Sequence, residues 1–120
     1  EIPVATRPVG TLKLVGEGSM IYRVTARFKP ETATELRRRL DDGSIAAQQP
    51  DGEEIVASLN RAVVTGPDVV QWSEKCFCDT PLAHERATVF DRYFDGIATE
   101  LIEDYEQYAG EAFVEHLQKL

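Results

Sequence analysis

The stretch Ile21-Tyr22-Arg23-Val24-Thr25-Ala26-Arg27-Phe28 decides the fold, because apolar and polar side chains alternate from Tyr22 to its end. Successive side chains of a strand point to opposite faces of a sheet. The pattern therefore predicts a half-buried strand over 21–28. Its buried face is formed by the apolar members of the alternation, Tyr22, Val24, Ala26 and Phe28.

A helix is predicted directly after this strand. Pro30 suits a first helical turn, where its missing N–H is not needed, and Glu31 and Glu35 lie near the positive end of the helix dipole. Gly43 is suited to ending the helix. Residues 44–52 are rich in turn-forming types and predict an irregular connection to the next element.

Residues 53–64 fit two patterns. Ile55, Leu59 and Ala62 lie at helical spacing, yet the same segment also alternates as a strand does. The sequence from Thr65 to Asp68 is typical of a turn, and the residues after it are typical of a strand. We therefore predict strands at 54–64 and 69–78 around this turn, with the helical alternative for 53–64 left open.

One long helix is predicted in the last third of the chain. Thr80 is a suitable capping hydroxyl, and Pro81 a suitable first helical residue. Apolar residues then recur at helical spacing as far as Tyr105, with Gly96 among them. A break is expected at Gly110, followed by a short final helix over 111–120.

The predicted order is strand, helix, strand, strand, helix, helix. In element order this resembles the ferredoxin-like βαββαβ pattern, but the final strand is missing. The predicted fold is therefore α+β, with a small antiparallel sheet of three strands, or four if residues 11–15 pair. Helices cover one face of this sheet. Its exposed edges favour association, and we expect a homodimer.

Composition limits the partners. The 120 residues suit one domain, and 21 acidic against 13 basic residues give a net charge of −8, which argues against nucleic acid and anionic membranes as partners. The absence of an apolar run of about 20 residues and of a leader predicts a cytoplasmic protein. The acidic residues concentrate late in the chain, where they predict an acidic helical face: Asp91, Asp95, Glu100, Glu103, Asp104, Glu106, Glu111 and Glu115.

The first 19 residues are interpreted separately. Met20 is the single methionine and follows Gly-Glu-Gly-Ser, which has the composition of a linker. We expect residues 1–19 to be a tag, linker or fused peptide and residues 20–120 to be the domain. Because residues 11–15 alternate polar with apolar side chains, they are also a candidate for an extra strand.

Reactive residue types concentrate between positions 72 and 85. A strand over 69–78 points its even-numbered residues to one face, and the predicted helix brings two more polar residues close to them. The candidate binding residues are Trp72, Glu74, Cys76, Cys78, His84 and Glu85.

Two kinds of chemistry are conceivable for this cluster. Cys76, Cys78 and His84 are competent zinc ligands, with His116 as a fourth, but their spacing matches no common structural zinc pattern. The alternative is a thiol nucleophile with His84 or Glu85 as base. Buried, reduced thiols are the favoured explanation of both cysteines, so no metal and no cofactor are predicted.

Three functional hypotheses follow. The first is a binding or adaptor domain that associates with a protein or peptide through a sheet edge and the acidic face. The second is a small dimeric enzyme or small-molecule binder with a pocket near Trp72, Cys76 and His84. The third is a Cys/His metal-binding protein. Because phosphate-binding loops, serine elbows and calcium loops are absent from the sequence, the first hypothesis is favoured over an enzyme.

Overall fold

The computed structural model of the protein describes residues 20–120. These residues form an α+β fold in which helices pack on a five-stranded antiparallel sheet. The interpretations of residues 1–19, including the extra strand at 11–15, lie outside the described residues. Within residues 20–120, no helix is long and apolar enough to cross a membrane.

The strands follow the order β4-β1-β3-β2-β5 across the sheet, and each neighbouring pair is antiparallel. They are β1 (Met20–Phe28), β2 (Val63–Gly66), β3 (Val69–Cys76), β4 (Phe94–Ile102) and β5 (Glu111–Ala112). The helices lie between them in the chain and after the last of them. They are α1 (Ala33–Asp41), α2 (Gly52–Arg61), α3, made of the consecutive pieces Ala83–Glu85, Arg86–Phe90 and Asp91–Tyr93, and α4 (Phe113–Gln118).

The first two elements confirm the predictions from the sequence. β1 spans the alternating stretch, and its apolar face is buried in the core. A 3-10 turn at Pro30–Thr32 leads into α1, which ends shortly before Gly43. Gly43 has a φ of +79°, a left-handed conformation that glycine adopts without steric cost.

The predicted strand over 54–64 is wrong, whereas its helical alternative is confirmed. Residues 52–61 form α2, and β2 is limited to Val63–Gly66. The stripe of Ile55 and Leu59, one turn apart, is buried against the sheet, and a strand could not bury both on one face together with Ala62. The prediction for β3 is correct to within two residues, since the strand ends at Cys76.

The long helix predicted from residue 80 to residue 105 is also wrong. Leu82 has a left-handed φ of +59°, so the helical run starts at Ala83, and it ends at Tyr93. Residues 94–102 are β4, so a strand follows the helix where the sequence predicted none. Ile97 and Leu101 are four residues apart and imitate a helical stripe, while the backbone enters an extended conformation at Phe94.

A bulge near the start of β4 shifts its pairing register with β1 by one residue. Thr25 lies opposite Ala98 and Arg27 opposite Asp95, so Gly96 and Ile97 together face one residue of β1. Gly96 has the positive φ of +59° that such a bulge favours. After the bulge, residues 98–102 keep a regular register with β1.

The core between the sheet and the helices is dominated by aromatic rings. Phe94 lies at its centre, with ring centroids of four other aromatic residues 5.2 to 6.1 Å away. These distances are typical of aromatic pairs that add stability beyond their buried area. The four neighbours are Phe28, Trp72, Phe90 and Phe113.

Side chains of α2 replace a missing strand neighbour of β3. β2 pairs with β3 only as far as Gln71, so the backbone beyond that point needs other partners. Glu54 Oε2 accepts a hydrogen bond from the Lys75 N–H at 2.9 Å, and Arg61 donates one to the Ser73 carbonyl at 2.8 Å. The carboxylate and guanidinium are themselves joined at 3.0 Å, so they cap this edge as a unit.

Candidate functional site

The polar cluster expected from the sequence lies at the end of β3 and the start of α3. Trp72, Glu74 and Cys76 point to the face of β3 that packs toward the helices, opposite Val24, Tyr22 and Met20 of β1. These three side chains are buried, including the carboxyl group of Glu74 and the thiol of Cys76. A carboxyl group and a thiol are therefore part of the core on this face of β3.

Glu85 brings the two thiols together. Its Oε1 atom lies 3.6 Å from Cys76 Sγ and 3.3 Å from Cys78 Sγ, and the three donor atoms all lie within 4.8 Å of one another. Cys76 ends β3 and Cys78 follows it in the loop, while Glu85 is almost fully buried in the first turn of α3. The strand that was expected to reach residue 78 stops earlier, yet the second thiol still joins the cluster.

The sulfur of Cys76 is surrounded by backbone donors. The Cys78 N–H donates to Cys76 Sγ at 3.1 Å, and the backbone of Leu82 hydrogen-bonds to the same sulfur. Both interactions favour a thiolate, but burial outweighs them and raises the pKa of the Cys76 thiol to about 12. Without a cation nearby, Cys76 is therefore a protonated thiol that donates to Glu85, and it is a poor nucleophile.

Glu74 is a second buried carboxyl group beside the thiols. Its Oε1 accepts a hydrogen bond from Trp72 Nε1–H at 2.8 Å, whereas Oε2 is buried and has no hydrogen-bond partner among residues 20–120. Burial raises the pKa of Glu74 well above its usual value, and the charges of Glu85, Glu54 and Asp51 raise it further. These charged neighbours are all acidic, and one of them, Glu54, is paired with Arg61.

His84 does not join the thiols. Its Nδ1 lies 2.7 Å from Asp51 Oδ2, and its side chain is 40% exposed. His116, the expected fourth zinc ligand, lies against Glu111 instead. The structure therefore brings together two cysteines and a glutamate, rather than the two cysteines and a histidine considered from the sequence.

No family model matches the chain, and neither does any curated protein or solved structure. Function is therefore inferred from the geometry around Glu85. Zinc binds sulfur at about 2.3 Å and carboxylate oxygen at about 2.0–2.2 Å, which in a tetrahedral site places sulfur and oxygen about 3.5–3.7 Å apart. The two observed separations, 3.6 and 3.3 Å, lie close to this spacing.

Trp72 and His84 lie in different surroundings. Trp72 is fully buried, with its ring 5.1 Å from that of Phe90, whereas the side chain of His84 is 40% exposed and pairs with Asp51. A groove in the described part of the chain lies elsewhere, along α1. It is lined by Thr34, Arg37, Arg38, Asp41 and Asp42.

Two acidic residues at the site were missed from the sequence. Asp51 binds His84 across 33 positions of the chain, and Glu54 binds the Lys75 N–H across 21. No local pattern marks such distant pairs. Both residues lie at the start of α2, where acidic residues are already expected because they favour the helix dipole.

Proposed function

We propose that this domain binds a divalent cation of the zinc class through Cys76, Cys78 and Glu85. The observation that carries the proposal is the position of Glu85 Oε1, 3.6 and 3.3 Å from the two sulfur atoms. Two thiolates and one carboxylate suit zinc better than magnesium or calcium, which prefer oxygen ligands.

The surroundings of the three donors support a cation over a simple hydrogen-bonded cluster. The Oε1 atom of the buried Glu85 has the weak S–H donors of the two cysteines as its partners. A second buried carboxyl group, Glu74, has an Oε2 atom without a hydrogen-bond partner among residues 20–120. Backbone N–H groups directed at Cys76 Sγ are also the kind of contact that supports a thiolate ligand.

The three ligands would join elements that are otherwise connected by a loop. Cys76 ends β3, Cys78 lies in the loop over 77–82, and Glu85 belongs to α3. A cation would therefore fix this loop against the start of the helix. Three protein ligands leave one position of a tetrahedral site for water or another donor.

The test is a titration of the chelator-treated full chain with Co²⁺, followed by competition with Zn²⁺. Cobalt bound to thiolates gives a charge-transfer absorption in the near ultraviolet, and we expect it at one equivalent. Cys76→Ser, Cys78→Ser and Glu85→Gln should each weaken binding by more than the roughly 10- to 100-fold that loss of an outer-shell partner costs. His84→Asn is the matched control and should keep the absorption.

Two results would contradict the proposal. One is the absence of the thiolate absorption at any cobalt concentration below that which precipitates the protein. The other is binding that survives Cys76→Ser and Cys78→Ser together, because the cation would then lie at another site.

We propose that residues 20–102 form a ferredoxin-like unit, with β5 and α4 added to it. The support is that β3 lies between β1 and β2, and β1 lies between β3 and β4, so both β-α-β units are split by another strand. A solved structure of the chain with a different strand order would contradict this assignment.

A further inference from the structure

β4 is an edge strand whose outer side pairs with no strand in residues 20–120. From Ala98 to Ile102 it is regular, since each residue keeps its partner on β1. The bulge at Gly96 lies before this part and does not interrupt it. The outer N–H and C=O groups over 98–102 are therefore arranged as a template for another strand.

The usual protection against strand addition is weak here. Edge strands are commonly blocked by lysine, proline, bulges or a covering element. Residues 97–102 include one charged side chain, Glu100, and Arg23 of β1 already forms a salt bridge with it. The other side of the sheet differs, because β5 pairs with β2 and the Glu54–Arg61 pair caps β3.

The two faces of β4 have different chemistry. Leu101 lies opposite the core residue Tyr22 and is 59% exposed, and Ile97 packs beside the core on the same side. Glu100 and Asp95 lie on the other face, opposite Arg23 and Arg27, with 66% of each side chain exposed.

The late acidic residues do not form the helical face expected from the sequence. Asp95 and Glu100 belong to β4, and the exposed Glu103 and Asp104 follow it directly. The unpaired edge is therefore next to exposed carboxylates, of which Glu100 and Asp95 also pair with Arg23 and Lys29. A second copy of the chain would bring two acidic strands together, which disfavours self-pairing and favours a basic partner.

We propose that the outer edge of β4 binds an extended peptide segment in which basic and apolar side chains alternate. Main-chain hydrogen bonds to residues 98–102 supply part of the affinity. The apolar side chains lie beside Leu101 and Ile97, and the basic side chains lie beside Glu100 and Asp95. This interaction does not depend on the proposed cation site.

The probe is a fluorescent heptapeptide, Lys-Val-Lys-Val-Lys-Val-Lys, titrated with the full chain and followed by anisotropy. We expect saturable binding that weakens with salt, and a Glu-Val counterpart should not bind. Two further peptides carry N-methyl groups on the lysine amides or on the valine amides. Because alternate amides of a strand face the same neighbour, one of these two peptides should lose binding and the other should keep it.

A charge reversal on the protein tests the acidic face. Glu100→Lys should lower the affinity for the Lys-Val peptide by roughly 5- to 10-fold and allow the Glu-Val peptide to bind. Glu115→Lys, an exposed residue of α4 beyond β5, makes the same charge change near the opposite edge and is the control. Circular dichroism and urea unfolding check that both variants are folded.

Three outcomes would overturn the proposal. The first is that the Lys-Val peptide shows no saturable binding. If sedimentation then shows a dimer, a second copy of the chain occupies the edge instead. The second is equal binding of both N-methylated peptides, which would indicate charge attraction without strand pairing. The third is an equal loss of affinity in Glu100→Lys and Glu115→Lys.

Discussion

The two halves of β3 are equally buried but differ in chemistry. Val70 and Trp72 in the first half are inaccessible to solvent, and so are Glu74 and Cys76 in the second, to within 1%. The first half packs against aromatic rings, whereas the second half buries a carboxyl group and a thiol. Burial of apolar groups stabilises a fold, and burial of a poorly partnered carboxyl group costs stability. Poorly partnered buried polar groups are typical of functional or strained sites, and the polar half is the one that contributes to the proposed cation site.

The largest effect is expected from removing Phe94 of β4, whose ring packs against Trp72 in the apolar half. Phe94→Ala removes the ring that contacts four other aromatic residues and should lower the free energy of unfolding by about 3–5 kcal/mol. Phe77→Ala, at a side chain that is 70% exposed, is the matched control and should change it by less than about 0.5 kcal/mol. Urea unfolding monitored by circular dichroism measures both. Similar losses in the two variants would contradict this description of the core.

A substitution in the polar half should raise the free energy of unfolding instead of lowering it. Because the pKa of Glu74 is raised in the folded state, the folded protein holds this proton more tightly than the unfolded chain does. The folded protein therefore loses stability as the pH rises above the pKa that Glu74 has in the unfolded chain, and the loss continues up to its pKa in the folded protein. Glu74→Gln keeps an acceptor for Trp72 Nε1–H and removes the ionisation, so it should stabilise the chelator-treated protein at pH 7 by roughly 1–3 kcal/mol, the usual cost of burying a poorly partnered polar group.

The pH dependence separates this explanation from a general effect of the substitution. The wild type and Glu74→Gln should be almost equally stable near pH 4, where the carboxyl group is protonated in both states. Their difference should grow with pH in thermal unfolding experiments. A constant difference from pH 4 to pH 7 would show that ionisation of Glu74 is not its cause.

A smaller effect is expected at the capped edge of the same strand. Glu54→Ala leaves the Lys75 N–H and Arg61 without their shared acceptor and should cost about 1–2 kcal/mol. Glu53→Ala changes the preceding, exposed residue of the same helix and should cost less than about 0.5 kcal/mol. Equal losses of unfolding free energy would mean that the helix start, and not the cap, is responsible.

The smallest effect is a difference between the alkylation rates of the two thiols. Cys78 is partly exposed, whereas Cys76 is buried and its pKa is raised to about 12. Alkylation with iodoacetamide followed by peptide mass spectrometry should therefore modify Cys78 first. Saturating Zn²⁺ should slow both reactions if the proposed site is occupied. Faster modification of Cys76 would contradict the observed burial.

Local patterns allowed part of the fold to be predicted. β1 and α1 follow from strict alternation and from Pro30 and Gly43, because each signal lies within the element that it defines. β4 could not be predicted, since the spacing of Ile97 and Leu101 is helical and the strand is mostly exposed. Its pairing with β1 is a long-range interaction that no window of the sequence contains.

The site was predicted in composition but not in geometry. Cys76, Cys78 and Glu85 lie within ten positions, so their proximity is partly a consequence of the short loop. The choice between Glu85 and His84 as the partner of the thiols depends on how α3 is rotated after Leu82. Asp51, which holds His84 away, comes from a different element and had no signal in the sequence.

The bulge at Gly96 has a consequence for how this chain can vary. It sets which residues of the following strand point to each face of the sheet. As a result, Leu101 faces the helices and Glu100 faces the opposite side. Loss or gain of one residue between Gly96 and Glu100 would exchange these two faces, while a change of two residues would preserve them. Natural length variation in this segment is therefore expected in steps of two, and an odd step would turn an acidic surface inward.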